Sequence, residues 1–439
     1  MTVRDLGDND YDVVIVGGGP AGLSAGMRCS NEGIKTLLVE RDPILTAKKS
    51  WTLGSREGRN KVKKIGLDVA EIGCNRIYKS ILRTKHPDGS GVAAKFSYKG
   101  VGAFSVEQDK LTEYMLNMSP KLDVKDKTSV VDAKRIDGGV VLKLSNENTL
   151  RCKIVIDASG GTREPSRLLG RGFNQRAVWI AHGYTIKGVK TKEFGVDSDE
   201  YAWVWGQEVM GQEVWDYCLG PKSEDTLDLV VYKYPLLDKI NPFYYGEPTI
   251  GMNQRKFCRW YLQNLWERVA SEYKDQLKKT KKLKAIWGLY GETWETRPFD
   301  DNLLMVGDAA GHASPWMGEG VLQSIIFGKD AGDVAVESVT KGACLESFLK
   351  RYYKLLKKDD IYNRGFFSFA RFYFPRINEG MMDGFHEFLQ DMAQRGDEYV
   401  EAGHKVITSG KFKSYELFKY LPGFTKCQLK GYLKGVKRN

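Results

Sequence analysis

Tyr11-Asp12-Val13-Val14-Ile15-Val16 runs into Gly17-Gly18-Gly19-Pro20-Ala21-Gly22, then a helical stretch from Leu23 to Glu32, then Lys35 to Val39 closing on Glu40. This order decides the fold. The first six residues form a short apolar run that can be buried on both faces, as a central strand of a parallel sheet is. Gly17 makes the turn out of that strand, Gly19 lets backbone approach a pyrophosphate, and Gly22 lets the helix pack on the sheet. With Pro20 and Ala21 they open a helix whose unpaired N–H groups and partial positive charge suit a pyrophosphate. Glu40 stands where a carboxylate accepts hydrogen bonds from both ribose hydroxyls of an adenosine. A lone GxGxxG is weak, because glycine-rich loops are common. Strand, glycines, helix and acid in sequence specify an adenine dinucleotide site.

Outward from that unit, the composition sets limits. The 439 residues suffice for two domains with a large core, and 42% hydrophobic with 12% aromatic residues fit a folded chain. No apolar run approaches the roughly 18 to 20 residues that span a bilayer. The first ten residues, MTVRDLGDND, are polar and acidic and show neither signal nor transit peptide, so a cytoplasmic protein is expected. Seven cysteines without CxxC or metal spacing fit a reducing compartment, and five dispersed histidines form no ligand cluster; no metal is expected.

The formal charge of +11 is localised. Lys411 to Arg438 holds eight Lys or Arg against the single acid Glu416, interleaved with Phe412, Tyr415, Leu417, Phe418, Tyr420, Leu421 and Phe424. Basic residues mixed with large apolar ones suit an anionic lipid surface better than a base-reading groove, so peripheral membrane contact is expected and nucleic acid is not. A solvated terminal helix accounts for the pattern equally well. A second basic run, Lys274 to Lys284, is expected to be a solvated helix end.

Along the chain, residues 1–75 form the first part of a cofactor domain. The polar stretch Arg41 to Gly58 is a loop beside the cofactor, which brings Arg41 and Trp51 into the candidate site. Residues 76–175 continue that domain, with a helix opening at Gln108 and a β-hairpin around Asp137-Gly138-Gly139. The buried strand Lys153 to Ile156 then enters Asp157-Ala158-Ser159-Gly160-Gly161, where Gly160 offers a second close approach of backbone to the cofactor. Residues 176–295 change character: β-rich segments dense in aromatics and a long amphipathic helix near Gln254 to Tyr273 indicate an inserted substrate domain. Residues 296–344 return to the cofactor domain, and residues 345–439 are helical with the basic tail at their end.

The return segment, LLMVGDAAGHASPWMGEGVLQSIIFG from Leu303, supplies specificity that the first motif lacks. Asp308 at the strand end can hold ribityl hydroxyls. Pro315, Gly318, Gly320 and Val321 lead into a helix N-terminus that can face the N1 and O2 edge of a flavin, where positive dipole stabilises the anionic reduced ring. Some 290 residues after the first fingerprint, this unit points to FAD rather than NAD.

Together GGGPAG with Glu40, the middle Asp-Ala-Ser-Gly and the late Gly-Asp-Ala-Ala-Gly resemble the p-hydroxybenzoate-hydroxylase-type flavoproteins. Within them, Gly-Asp-Ala-Ala-Gly-x-x-x-Pro-x-x-Gly-Glu-Gly looks most like the geranylgeranyl reductases, which saturate isoprenoid double bonds. The resemblance implies an α/β fold: a Rossmann-like FAD-binding domain of the glutathione-reductase type, an inserted β-rich substrate domain and a helical C-terminal region. It covers the flavin domain, about half the chain. The family's Tyr-x-Trp-x-Phe-Pro element corresponds to Tyr201-Ala202-Trp203-Val204-Trp205-Gly206, which makes Tyr201, Trp203 and Trp205 candidate substrate contacts. The family's cysteine–glycine element has no cysteine here, the loop being Lys48 to Gly54, and its basic residue at the next flavin-contacting helix is Gln108.

An isolated alkene accepts hydride only if a proton reaches the other carbon, so a dry pocket and a nearby acid are expected. His312 and Glu319, beside the flavin-facing loop, and Tyr201 are the candidates. Aromatics between Tyr201 and Tyr245 line a lipid tunnel or pair across strands. Phe366 to Phe374 close that tunnel or form a helical core, and Arg364, Arg371 and Arg376 among them grip a phosphate headgroup or face water. With no second GxGxxG, electrons come from transient NAD(P)H docking or from a small redox protein. A flavin monooxygenase or halogenase is the alternative enzyme, the latter needing a well-placed lysine. A non-catalytic flavoprotein binding lipid or a partner is the alternative of another class.

Overall fold

The computed structural model describes residues 11–46, 50–85, 91–171, 178–206, 215–233, 254–291, 297–313, 319–359, 379–394, 422–423 and 425–430. The opening βαβ unit is β1 (Tyr11–Val16), α1 (Pro20–Asn31) and β2 (Thr36–Val39). It is followed by β3 (Ser50–Leu53), α2 (Arg56–Lys64), β4 (Asn75–Ile77), β5 (Lys79–Lys85), β6 (Ala93–Ser97), β7 (Ala103–Glu107) and α3 (Gln108–Asn117). Then come β8 (Asp123–Lys125), β9 (Val130–Ile136), β10 (Gly139–Leu144), β11 (Thr149–Asp157) and the short α4 (Glu164–Leu168). The middle region supplies β12 (Val178–Lys187), β13 (Glu200–Gly206), β14 (Trp215–Pro221), β15 (Thr226–Lys233), α5 (Gln254–Glu272), α6 (Lys274–Leu277) and β16 (Lys281–Gly291). The chain returns through β17 (Phe299–Asp300), β18 (Leu303–Met305), α7 (Val321–Lys341), α8 (Glu346–Leu349), α9 (Arg351–Lys358) and α10 (Glu379–Gln394).

The first sheet has the order β17-β18-β11-β1-β2-β8, with the β9–β10 hairpin attached to β11. β1 pairs in parallel with both β2 and β11, and β11 in parallel with β18. Strand alternation sorts the core into two layers. Val13, Ile15, Leu38, Ile154 and Ile156 pack against α1, α3 and α7, while Val14, Val16, Leu37, Val39 and Val155 pack with β9 and β10. That double burial is why β1 has no polar residue after Asp12.

α1 and α7 press together more closely than side chains normally permit. A Cβ added at Gly328 would lie 2.3 Å from the carbonyl oxygen of Ala21. The Ser24 hydroxyl crosses the seam to donate to the Ile325 carbonyl at 2.6 Å. The two glycine motifs that begin these helices are thereby held on one rigid base.

The second sheet has the order β16-β12-β15-β14-β13-β5-β6. One face buries Ala202, Val204, Tyr217, Leu219, Leu229 and Val231 against Phe257, Leu262, Leu265 and Trp266 of α5. Its membership corrects the expected boundary at residue 176, because β5 and β6 belong to it rather than to the cofactor domain. β5 pairs in parallel with β13, from Lys79↔Glu200 to Lys85↔Gly206. The lysine run 274–284 is also corrected. Only Lys274–Leu277 is helical, and from Lys281 the chain is an edge strand paired with β12. Lys282 is held over the Trp266 ring, 4.1 Å from its centroid, as a cation–π contact.

The helical expectation for 345–439 is met by α8, α9 and α10 where residues are described. The segment holding Phe366 to Phe374, Arg364, Arg371 and Arg376, and most of the basic tail, lies outside the described residues.

Candidate functional site

β1 ends in Gly17 at φ +116°, backbone that an L side chain rarely adopts, and a Cβ there would lie 2.2 Å from the Ala158 carbonyl oxygen. A Cβ at Gly22 would lie 1.9 Å from the Gly17 carbonyl oxygen, so α1 sits directly on the strand end. Gly19 differs: nothing stands within 4 Å of its Cβ position, which opens to a cavity. Gly19 is the N-cap of α1 and Pro20 its first residue, leaving the first-turn N–H groups unpaired within the helix. Across the turn, Glu40 Oε2 accepts the Gly18 N–H at 2.7 Å and Oε1 accepts the Asp42 N–H at 2.9 Å. The backbone therefore orients the carboxylate before any ligand arrives.

These residues form one end of a cavity of about 690 Å³, within the range of cofactor and ligand sites. Its lining brings together Gly17, Gly19, Pro20, Ala21, Glu40, Arg41, Trp51, Gln108, Gly160, Asp308, Gly320 and Val321 from the expected cofactor set. Gly22 stands behind the lining as the packing glycine. Pro315 and Gly318 lie outside the described residues. Gly160, at φ +69°, follows Asp157, whose buried carboxylate accepts from the Ser159 hydroxyl at 2.6 Å and the Ser166 N–H at 3.1 Å. That brace fixes the second glycine turn beside the first.

An FAD fits this donor set. Two helix N-termini, at Gly19 and Gly320, border the cavity. Gln108 contributes a buried amide oxygen with no hydrogen-bond partner among the described residues. Such an atom is costly unless something in the cavity donates to it.

The far wall is the open face of the second sheet. Strand register arranges it in rows. Leu82, Trp203, Cys218 and Val230 lie abreast on β5, β13, β14 and β15. Ile286 on β16 and Tyr232 extend this apolar surface. Trp203 is 4% exposed and stacks on Tyr232 with centroids 5.4 Å apart. Tyr201 lies two residues before it and also lines the cavity. Trp205 follows at the next position of that alternation on β13; its side chain is outside the described set.

The three candidate acids separate. Glu319 lines the cavity, is 9% exposed, and burial pushes its carboxyl up to about 7 against the pull of the Ser55 N–H, Arg59 and the Gly54 N–H. Ser55 donates its backbone N–H to Glu319 Oε1 at 3.4 Å. Tyr201 borders the same space. His312 stands apart from the lining, fully buried between Phe327 and Tyr352, with centroids 4.9 and 6.4 Å away. Burial, with Arg163 nearby, drops its pKa to about 3, so its ring is neutral near pH 7.

Arg59 is a residue the sequence did not single out. Its guanidinium is buried and Nη1 donates to the carbonyls of Leu53, Gly54 and Gly102, each at 2.8 Å, while Nη2 donates to Val101 at 3.1 Å. Burial lowers its pKa to about 10, and Glu319 opposes that fall. The turn Leu53–Ser55 is thus gripped twice, its carbonyls by Arg59 and its N–H groups by Glu319. The spacing Ser55-x-x-Gly58, with Ser55 capping α2 through a 3.0 Å bond from the Gly58 N–H, was the available local signal. Ser80, Tyr98 and Asp228 also line the cavity and were missed.

Residues 12–162 match the family of FAD dependent oxidoreductases. The chain is 25% identical over 365 residues to a digeranylgeranylglycerophospholipid reductase of Thermoplasma volcanium, covering 79% of this chain and 83% of that one. It is 26% identical over 373 residues to the protein of that name from Methanocaldococcus jannaschii, covering 81% and 84%. Among solved structures, a geranylgeranyl bacteriochlorophyll reductase-like protein from Thermoplasma acidophilum superposes with a TM-score of 0.70 at 20% identity, covering 94% of this chain and 99% of that chain. A flavin-dependent brominase superposes with a TM-score of 0.63 at 18% identity, covering 93% and 97%. These structures share the fold.

Proposed function

We propose that this chain, an FAD-dependent oxidoreductase similar to the geranylgeranyl reductases, reduces carbon–carbon double bonds of an isoprenoid, lipid-like substrate. The observation that carries the proposal is the continuity of one cavity from the FAD cradle to an apolar wall of Leu82, Trp203, Val230, Tyr232 and Ile286, with the raised acid Glu319 on its lining. FAD, once reduced, supplies hydride chemistry at the cavity. The chain's own part is to hold the prenyl chain against the aromatic wall, keep water out, and deliver a proton.

Glu319 is the residue proposed to hold that proton. A carboxyl titrating near 7 is protonated in a useful fraction at neutral pH and still gives the proton up. Arg59 steadies the carboxylate that remains. Tyr201, on the same lining, is a second proton carrier or a substrate contact, and Trp203 with Trp205 is proposed to contact the prenyl chain. His312, neutral and enclosed away from the cavity, is given no proton-donor role.

The reductant is proposed to be NAD(P)H or a small redox protein docking transiently. Among the described residues no helix is long and apolar enough to cross a membrane. Contact with a lipid surface through the basic tail is the proposed way to meet the substrate.

The halogenase reading keeps one supporting observation, the likeness of fold to a brominase. Among the described residues, however, no lysine lines the cavity. The deciding experiment is anaerobic incubation of the dithionite-reduced protein with a geranylgeranyl lipid, followed by mass spectrometry. Products that gain hydrogen in pairs without O2 support the reductase. Turnover that requires O2 replaces it with the monooxygenase or halogenase. A stable flavin that never turns over replaces it with a binding protein.

A further inference from the structure

We infer that Asp228 recognises the polar end of the substrate, and that this end is a hydroxyl rather than an anion; the inference rests on the isoprenoid-reductase reading. The strand register that builds the apolar row builds a polar one beside it. Ser80 is level with Tyr201, and Gly220 with Asp228, two residues before Leu82, Trp203 and Val230 respectively in their strands and two after Cys218 in β14. At roughly 3.3 Å per residue the two rows are about 6.6 Å apart. The same cavity face therefore changes from hydrocarbon to hydroxyl and carboxylate within the length of a few bonds.

Asp228 is 6% exposed and is held by two neighbouring side chains among its partners. Lys222 Nζ lies 3.1 Å from Oδ2, and the Thr185 hydroxyl donates to Oδ1 at 2.7 Å. Lys222 also donates to the Ser105 hydroxyl at 2.5 Å. Burying two opposite charges costs several kcal/mol per ion before their attraction offsets it, and a hydrophobic pair of similar volume is often at least as stable. A stability role alone is a weak reason for the pair.

The two ions are not equivalent to an incoming ligand. Asp228 is on the cavity lining and Lys222 is not. An ionised carboxylate only accepts hydrogen bonds, so it favours a ligand O–H and repels a phosphate or carboxylate. Gly220 leaves a notch between Tyr201 and Asp228. A Cβ there would already touch its neighbours, 3.4 Å from the Tyr201 ring and 3.9 Å from Asp228 Cβ, so the glycine keeps the space between them clear of a side chain. Ser80, bonded to the Tyr98 hydroxyl at 2.5 Å, continues the polar row. The ligand class is a prenyl chain ending in a free hydroxyl, either as a prenyl alcohol or as a prenyl glycerol ether.

The test uses the full FAD-loaded oxidised protein, so that binding is measured without turnover, by tryptophan fluorescence and flavin absorbance. The probes are geranylgeraniol, a geranylgeranyl glycerol ether, geranylgeranyl methyl ether and geranylgeranyl phosphate. Wild type should bind one or both hydroxyl ligands at least about tenfold tighter than the methyl ether and the phosphate, the size of one charge-assisted hydrogen bond; which of the two binds names the source. Asp228→Asn keeps the shape but leaves Lys222 positive, so the order should invert, with phosphate gaining as the alcohol loses. The paired change Lys222→Met with Asp228→Leu removes both charges and should make alcohol and ether equal; it decides the matter if Asp228→Asn does not fold. Equal wild-type affinities for alcohol, ether and phosphate overturn the inference and leave the reductase reading standing. An unaltered preference in the variants overturns it too. Failure of every prenyl probe to bind wild type overturns both.

Discussion

The carboxylate of Glu319 accepts the backbone N–H of Ser55 at 3.4 Å, joining residues 264 positions apart in the chain. Arg59 holds the carbonyls of the same turn. Glu319 is thus a buried acid whose ionised form is partly stabilised, by one cation and two N–H groups, against a larger desolvation penalty. The first two predictions concern that balance.

Glu319→Gln keeps the shape and removes the exchangeable proton. Alkene reduction should fall by about 10²- to 10⁴-fold, the usual contribution of a positioned acid. Flavin content and dithionite reduction of the flavin should stay near wild type. Single-turnover reoxidation by a prenyl substrate separates the two steps, and an undiminished rate would remove Glu319 from the mechanism.

The pH dependence has a definite sign. With a folded carboxyl raised from 4.5 to about 7, the acid form is lost as pH rises through 7. The rate of alkene reduction should therefore fall above about pH 7. Stability should fall earlier, from about pH 4.5 up to about pH 7 where it levels off, because between those values the native state binds more protons than the unfolded one. The full effect is about 3 kcal/mol, at roughly 1.4 kcal/mol per pKa unit. Arg59→Met should move the falling limb of the rate profile to higher pH, and Arg59→Lys should leave it closer to wild type. Rate profiles and denaturant midpoints from pH 5 to 9 check both.

Glu40→Ala removes the acceptor for the Gly18 and Asp42 N–H groups as well as the proposed ribose contact. FAD affinity should drop at least about tenfold, on the scale of charge-assisted hydrogen bonds. Equilibrium dialysis followed by flavin absorbance measures it. Asp308→Ala should likewise release FAD or distort its spectrum.

Gly22→Ala places a methyl where the Gly17 carbonyl stands, 1.9 Å away. Since backbone, not a flexible side chain, must shift, the variant should lose several kcal/mol of stability and its FAD together. Gly19→Ala meets nothing within 4 Å and should fold normally while binding FAD less well. Melting temperature and flavin occupancy, measured on both, distinguish a packing glycine from a ligand-facing one.

Much of the flavin cradle was legible because its chemistry is local. Turn, helix N-terminus and following acid all fall between Gly17 and Glu40, and the second unit, around Asp308 and Gly320, repeats that economy. The rest depends on pairing between distant segments. Nothing in Lys79–Lys85 announces a parallel partner about 120 residues later in β13, so the second sheet was drawn two strands short. Arg59 sits in a helix with five other charged residues, and the sequence does not mark which one turns inward. Lys222 and Asp228 flank a hairpin turn, a setting where charges are usually solvated. Their burial follows from the sheet around them. Lys281 to Lys284 looked like a helix end because lysine is common there; tertiary pairing with β12 overrode that preference.

The glycine seam between α1 and α7 sets an order of events during biosynthesis. The Gly17–Gly22 turn emerges first from the ribosome, yet the helix that braces it is made roughly 300 residues later. Until Gly328 of α7 docks on Ala21 of α1, the first glycine turn lacks that brace, so FAD should be captured only after α7 has been made, and chains stopped before residue 341 should leave the ribosome colourless.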